Sequence, residues 1–158
     1  MLTVSDAGSR GERADSSGDR IAAWIAERGY QPAGRKLVPD DTVEIVRALL
    51  EWADGGGCDV ILTTGGTGLS PRDVTPEATR AVLEREAPGI AEALRARALP
   101  AFPRAALSRG LAGVRGTTLI VNLPGNPKAI AQLFPVLVPT LTHVVATLTR
   151  DGGRDSGH

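Results

Sequence analysis

The sequence predicts an α/β domain with three layers, α/β/α, around a mostly parallel sheet. Short β-branched runs typical of buried strands, at residues 60–62 and 117–123, alternate with longer stretches whose apolar residues recur at helical spacing. Strands that alternate with helices imply parallel pairing and right-handed crossovers. A length of 158 residues is ordinary for one domain. We therefore expect a single domain over 1–150 and a disordered tail at 151–158.

Composition excludes several classes of function. The chain is 42% hydrophobic and 23% charged, as soluble globular proteins are. Its 18 basic and 18 acidic residues cancel, so no global field attracts nucleic acid or an anionic membrane, and 3% aromatic content argues against base stacking. We found no apolar run of the ~20 residues that span a bilayer. One cysteine, Cys58, fits a reducing compartment, and we expect a cytoplasmic protein.

The elements of the first half follow from periodicity and from helix stop signals. Residues 1–5 are the end of a strand, and a polar loop follows at 6–18. A helix then runs from Asp19 to its stop at Gly29, a strand follows at 31–38, and three glycines end a helix at 43–54.

In the second half, a strand at 60–62 opens into a glycine-rich turn. Thr75 and Pro76 predict a helix start with Thr75 as the cap. We expect that helix to continue towards Leu99 with a break near 88–89, and a loop with a short helix to follow at 100–116. A strand at 117–123 then leads to a helix from Pro127, and a last helical stripe follows Pro139.

Polar or glycine residues follow four of the predicted strands at their carboxyl ends. They are Ser5-Asp6, Asp40, residues 64–66 and residues 124–126. Ligands of open α/β sheets bind outside these ends, where the strand order reverses. The sequence therefore predicts one site at this edge of the sheet.

The turn Gly65-Gly66-Thr67-Gly68 can present backbone N–H groups to a phosphate. It has neither the spacing of a dinucleotide fingerprint nor the lysine of a P-loop, which disfavours a dehydrogenase or a P-loop kinase. Taken alone, such a glycine-rich turn is better explained as a purely structural turn after a strand. The flanking Thr63, Thr64, Arg72 and Asp73 favour a phosphate site.

Asp40 and Asp73 are each explained equally well as local helix caps. If both aspartates lie at one sheet edge beside an anion-binding turn, their carboxylates are suited to hold Mg²⁺ against phosphate oxygens. The segment 124–127 can bind a second phosphate at a helix N-terminus. Neither His143 nor His158 has a partner at metal-ligand or triad spacing, so catalysis must rest on carboxylates, amides, arginine or a metal ion.

Seven segments, in this order, resemble the MogA/MoaB family of molybdenum cofactor biosynthesis, which includes the gephyrin G domain. They are Thr3-Val4-Ser5-Asp6, Asp15-Ser16-Ser17-Gly18, Val38-Pro39-Asp40-Asp41, Thr63 to Gly68, Pro71 to Thr79, Leu107-Ser108-Arg109 and Asn122 to Pro127. The resemblance implies that family's Rossmann-like fold and a molybdopterin adenylyltransferase. In that reaction the terminal phosphate of molybdopterin attacks the α-phosphorus of ATP, with Mg²⁺ as cofactor.

The resemblance also implies roles for single residues. Asp40 and Asp73 match the family's essential aspartates, Asp40 as the metal ligand. The nucleotide loop corresponds to Thr64, Gly65, Gly66, Thr67 and Gly68. The pterin phosphate would be held by Ser108, Pro124, Gly125, Asn126 and Pro127, and the first site loop carries Ser5 and Asp6. The family further implies a homotrimer or hexamer and the downstream molybdotransferase as a partner.

Three alternatives stay open. The first is a non-catalytic molybdopterin-binding protein of the same pathway, which the retained Arg72-Asp73 pair disfavours. The second is a relative of the same fold, such as a molybdotransferase domain or a competence-damage nucleotide hydrolase domain. The third is a purely structural trimer-forming protein. The residues do not decide between a molybdenum and a tungsten end product.

Overall fold

The structure is a computed structural model that describes residues 1–152. A six-stranded sheet, ordered β2-β1-β3-β6-β5-β4, runs through its centre. The strands are β1 Leu2–Val4, β2 Lys36–Val38, β3 Val60–Thr64, β4 Arg85–Glu86, β5 Ala112–Arg115 and β6 Thr118–Leu123. The helices are α1 Asp6–Ser9, α2 Ser16–Glu27, α3 Thr42–Asp54, α4 Thr75–Val82, α5 Pro88–Ala98 and α6 Pro127–Gly152, with a 3-10 turn at Pro103–Leu107.

The expected mostly parallel sheet is confirmed. Strands β2, β1, β3 and β6 pair in parallel, whereas β5 and β4 continue the sheet in antiparallel pairing. The chain leaves β1 towards β2 on one side and returns to β3 on the other, so the strand order reverses between β1 and β3. That reversal is where an open α/β sheet forms its ligand crevice.

Helices cover both faces of the sheet, which confirms the three layers. One core cluster joins α2, α5 and α6 to β3, β5 and β6, and the other joins α3 and α4 to β1, β3 and β6. Strand β6 contributes side chains to both clusters, because Leu119 and Val121 point to one face of the sheet and Ile120 points to the other. All three side chains are fully buried. A strand buried on both faces needs this continuous apolar pattern.

Two strands were missed in the sequence. The expected helix continuation through residues 85–86 is wrong, because Arg85 and Glu86 form the exposed edge strand β4. The expected loop contains the strand β5, in which Gly113 lies opposite Glu86 and Ile120. An ideal Cβ at Gly113 would lie 2.5 Å from the Arg85 carbonyl oxygen. Close backbone approach explains the glycine, which weakened the sequence signal for a strand.

Several boundaries also differ. The predicted loop at 6–18 contains α1, and α2 begins earlier than expected because Asp15 caps it by accepting a hydrogen bond from the Gly18 N–H. Strand β2 is shorter than the predicted span 31–38. Thr75 is not the cap of α4; its hydroxyl donates to the Gly65 carbonyl instead, and Val74 occupies the cap position.

The last two predicted helices are one helix, α6, with Pro135 and Pro139 inside it. Its inner face packs in the core through Ile130, Leu133, Phe134, Leu137 and Leu141. The stretch Pro127–Thr149 is long and apolar enough to cross a membrane, so the sequence-based exclusion of such a run was wrong. Asp151 and Gly152 belong to α6, and the rest of the predicted disordered tail, 153–158, lies outside the described residues.

Candidate functional site

The carboxyl ends of β1, β2, β3 and β6 surround one polar cavity of about 530 Å³. It is a size that accommodates a cofactor or a nucleotide. The predicted site residues on its wall are Ser5, Asp40, Gly65, Gly66, Asp73, Gly125, Asn126 and Pro127. The convergence expected from the four strand exits is therefore present.

The glycine turn after β3 has a backbone that only glycine adopts easily. Gly65 and Gly66 have φ angles of 94° and 64°. A Cβ at Gly65 would lie 2.2 Å from the Val4 carbonyl oxygen, and one at Gly66 would lie 2.3 Å from Thr75 Oγ1. The turn thus packs directly against the end of β1 and the start of α4. This packing leaves no room for a side chain between the turn and its neighbours.

Three charged side chains link the loops that follow β1, β2 and β3. The Asp6 N–H donates to Asp40 Oδ2 at 2.8 Å. Arg72 donates from Nε and Nη2 to the two carboxylate oxygens of Asp6, each at 2.9 Å. This bidentate pairing lowers the pKa of Asp6. Asp6 is therefore an ionised bridge that connects Asp40 to the loop carrying Asp73.

Asp40 and Asp73 each keep one oxygen that accepts no hydrogen bond from a described residue. Asp73 Oδ2 accepts from the Ser70 N–H at 3.0 Å, which leaves Oδ1. Asp40 Oδ2 accepts from Asp6, and its Oδ1 would lie 3.0 Å from a Cβ at Gly66. Burial, together with the nearby charges of Asp6 and Asp73, raises the pKa of Asp40.

This donor chemistry fits Mg²⁺. Residues 1–152 contain no cluster of three or more His, Cys, Asp or Glu side chains arranged for a metal ion. Mg²⁺ does not require such a cage, because it binds through one or two carboxylates together with substrate phosphates and water. Burial is the main cause of the raised pKa of Asp40, and the charges of Asp6 and Asp73 add to it; a divalent cation would relieve that repulsion.

Arg109 fixes the loop between the glycine turn and α4. Its Nε donates to the Gly68 carbonyl and its Nη2 to the Asp73 carbonyl, both at 2.7 Å, while its Nη1 pairs with Glu77. Its backbone N–H donates to the Thr67 carbonyl at 2.8 Å. Nothing local to Arg109 in the sequence indicates these partners, because Gly68, Asp73 and Glu77 lie 41, 36 and 32 residues away along the chain.

A second, mostly apolar cavity of about 390 Å³ adjoins the first. The predicted residues Thr67, Gly68, Ser108, Pro124 and Asn126 line it, and Asn126 also lines the polar cavity. Leu94, Phe102 and Leu133 supply apolar wall. The predicted nucleotide loop therefore extends along both cavities, with Gly65 and Gly66 on the polar side and Thr67 and Gly68 on the apolar side.

Two predicted ligand residues also have structural partners. Thr64 is fully buried, and its hydroxyl donates to the Pro124 carbonyl at 2.7 Å, which joins the two turns. Asn126 Oδ1 accepts from the Lys128 N–H at 2.9 Å and so caps α6. Its side-chain NH₂ donates to no described residue. Behind the turns, buried Asn122 donates to Thr63 and Thr79, each at 2.9 Å.

Comparison with known proteins gives consistent matches over almost the whole chain. The profile of a family described as "probable molybdopterin binding domain" matches residues 1–143. The molybdopterin adenylyltransferase of Helicobacter pylori strain J99 is 38% identical over 147 residues, which cover 92% of this chain and 84% of that protein. The molybdenum cofactor synthesis protein cinnamon of Drosophila melanogaster is 42% identical over 153 residues, but the match spans only 25% of its length.

Among solved structures, the molybdopterin biosynthesis enzyme MoaB of Thermus thermophilus superposes with a TM-score of 0.83 at 52% sequence identity. The match covers 92% of this chain and 94% of that one. The two chains therefore share their fold over nearly their whole lengths.

Proposed function

The chain belongs to the MogA/MoaB family of molybdenum cofactor biosynthesis, and we propose that it transfers AMP from ATP to the terminal phosphate of molybdopterin. In this step an oxygen of the terminal phosphate forms a bond to the α-phosphorus. The bond from that phosphorus to the bridging oxygen breaks, and the electron pair leaves with pyrophosphate. The attacking phosphate is ionised at neutral pH, so no general base is required.

The observation that carries the proposal is the meeting of two anion-binding turns with two incompletely paired carboxylates at one reversal in strand order. Gly65 and Gly66 present the first turn, and Gly125 and Asn126 the second. The second turn precedes the N-terminus of the long helix α6, where the helix dipole favours a phosphate. Asp40 and Asp73 lie in the same cavity.

Each group has a defined part in the proposed reaction. Asp40 and Asp73 would hold Mg²⁺ together with phosphate oxygens. The chemistry that Mg²⁺ supplies when bound is neutralisation of the charge on the phosphates. Residues Gly65 to Gly68 would bind the nucleotide. Ser108 and residues 124–127 would hold the pterin phosphate, with Asn126 at the junction of the two cavities. Positioning and charge neutralisation account for most of phosphoryl-transfer catalysis.

The direct test mixes the protein with molybdopterin, Mg²⁺ and ATP labelled at the α-phosphate. Labelled adenylylated pterin, formed in step with pyrophosphate, is the expected result. Molybdopterin binding without release of pyrophosphate would instead identify the chain as a non-catalytic binding protein.

We also propose a cytoplasmic homotrimer or hexamer that passes its product to a molybdotransferase, as the family resemblance implies. Light scattering coupled to size exclusion measures the assembly. A monomer with full activity would overturn this part of the proposal. Cell fractionation tests the location, and a pull-down with the purified transferase tests the partner.

A further inference from the structure

The polar cavity extends beyond the predicted site residues to the start of α2. Arg13, Asp15, Ser16 and Ser17 line the same cavity as Gly65 and Asn126. The family resemblance includes the segment Asp15 to Gly18 but assigns it no role in the proposed reaction. These residues therefore need a separate explanation.

Ser17 is a buried polar residue with an unpartnered hydroxyl. It is 8% exposed, and its Oγ makes no hydrogen bond with any described residue. Within residues 1–152, the buried side-chain N or O atom that lacks both solvent contact and a partner is Trp24 Nε1. The Ser17 hydroxyl therefore keeps contact with the cavity that it lines. A hydroxyl without a protein partner on a cavity wall is free to bond to a ligand or to water there.

The surroundings of Ser17 favour an anion. The first-turn N–H groups of a helix have no intrahelical partner, and α2 is 12 residues long, so its dipole is positive at this end. Arg13 lies exposed on the same wall and forms no ion pair with a described residue. Asp15 caps this end by accepting from the Gly18 N–H, and Arg35 pairs with the carboxylates of both Asp15 and Asp19, each at 2.7 Å. The N–H groups of Ser16 and Ser17 donate to no described residue and stay available to an anion.

We propose that Ser17, the N-terminus of α2 and Arg13 bind the β- and γ-phosphates of ATP, which leave as pyrophosphate. This inference rests on the proposed adenylyl transfer, and it assigns the leaving group to a part of the cavity separate from the carboxylates. Asp40 and Asp73 stand on the other strand ends of the cavity, so the polyphosphate lies between the carboxylate side and the α2 side. A site that binds the leaving group stabilises the charge that develops on it.

The test is calorimetric titration of the full chain with inorganic pyrophosphate and, separately, with AMP, both in Mg²⁺ at fixed ionic strength. Ser17→Ala and Arg13→Ala should each weaken pyrophosphate binding about tenfold, as loss of one charge-assisted hydrogen bond does. AMP binding should stay unchanged, because AMP lacks both phosphates. Arg10→Ala is the matched control, since Arg10 is an exposed arginine of the same loop whose partner is Glu12.

Stability separates this role from a structural one. Ser17→Ala removes a hydroxyl that bonds to no described residue, so the thermal midpoint should hold or rise while pyrophosphate affinity falls. A lower midpoint with unchanged pyrophosphate affinity would overturn the inference. Arg13 is exposed, and its variant tests the site without risk to folding.

The outcomes also separate this inference from the proposed function. Normal adenylylation with unaltered pyrophosphate affinity in both variants would reject the phosphate site and leave the function standing. Absent adenylylation with weakened pyrophosphate binding would retain the site and reject the function.

Discussion

Asp6 and Asp40 exchange a reciprocal pair of hydrogen bonds between backbone and side chain. The Asp6 N–H donates to Asp40 Oδ2 at 2.8 Å, and the Asp40 N–H donates to Asp6 Oδ1 at 3.0 Å. The ends of β1 and β2 are thereby locked in register, with the two carboxylates held close together. Arg72 pairs with Asp6 and lowers the pKa of Asp6, whereas burial and the neighbouring carboxylates raise the pKa of Asp40.

Asp40→Asn should stabilise the fold at neutral pH. A carboxylate whose folded-state pKa is raised adds stability while it is protonated and loses that contribution as the pH rises through the raised pKa. Asn keeps an oxygen that accepts from the Asp6 N–H and carries no charge. We expect a higher thermal midpoint than the parent at pH 7, and a difference that shrinks as the pH falls below the pKa of Asp40. A midpoint below the parent's at pH 7 would contradict this account.

The Mg²⁺ requirement should depend on pH through the same group. In the proposed site only ionised Asp40 would hold the metal, and burial raises the pKa of Asp40 above its ordinary value of 3.8. The Mg²⁺ concentration for half-maximal adenylylation should therefore increase in mildly acidic buffer. Titration of Mg²⁺ at a series of pH values measures this, and a requirement independent of pH down to the ordinary aspartate range would exclude Asp40 as the ligand.

Asp73→Asn should lower adenylylation by about 100-fold or more, the scale of losing a preorganised electrostatic group. The fold should persist, since Asn retains an oxygen that accepts from the Ser70 N–H. The labelled-ATP assay gives the rate and circular dichroism gives the fold. Asp59→Asn, an exposed aspartate before β3, is the control and should retain parent activity. Near-normal turnover of Asp73→Asn would reject the assigned site.

Gly66→Ala should destabilise the protein by about 1–3 kcal/mol, because it combines a strained backbone with a clash. Its φ is 64° and its new Cβ would meet Thr75 Oγ1 at 2.3 Å. Gly29→Ala is the matched control: its φ is 69°, but nothing lies within 4 Å of the added Cβ. Denaturant unfolding should therefore show a larger loss for Gly66→Ala. Equal losses would mean that the turn does not pack tightly.

Arg109→Lys should loosen the loop at 67–77 and lower kcat/KM about tenfold. One ammonium group cannot reach the carbonyls of Gly68 and Asp73 and the carboxylate of Glu77 in the fork geometry of a guanidinium. Hydrogen exchange should become faster at 67–77 without a general change elsewhere. Arg97→Lys, on the exposed side of α5, is the control. Unchanged exchange in the loop would show that Arg109 is not its anchor.

The parts of the fold that the sequence predicted were those with strong, local patterns. Strand β3, strand β6 and helix α3 carry continuous apolar runs or a clear helical stripe, and they were found with small boundary errors. Strand β4 has two exposed residues and β5 contains Gly113, so neither produces an apolar pattern. Helix α6 continues through Pro139 because its apolar face packs on the sheet, which tertiary contacts decide and local propensity does not.

The location of the candidate site at one edge of the sheet could be predicted from the sequence, whereas the hydrogen bonds and ion pairs between its side chains could not. Alternating strands and helices bring all carboxyl ends of parallel strands to one edge, which was enough to group Asp40 with the two turns. The partners of Arg72 and Arg109 depend on how loops distant in sequence fold against one another. The role of Ser17 depends on a hydroxyl that lacks a partner, and a sequence cannot show a missing hydrogen bond.

The place of β6 in the sheet has a consequence for synthesis. Among the described residues β6 is the last strand in chain order, yet it lies between β3 and β5. Until Leu123 has left the ribosome, the nascent chain lacks the strand that joins β3 to β5. Translation must therefore pass residue 123 before β6 can close the sheet and the turn that follows it can complete the walls of both cavities.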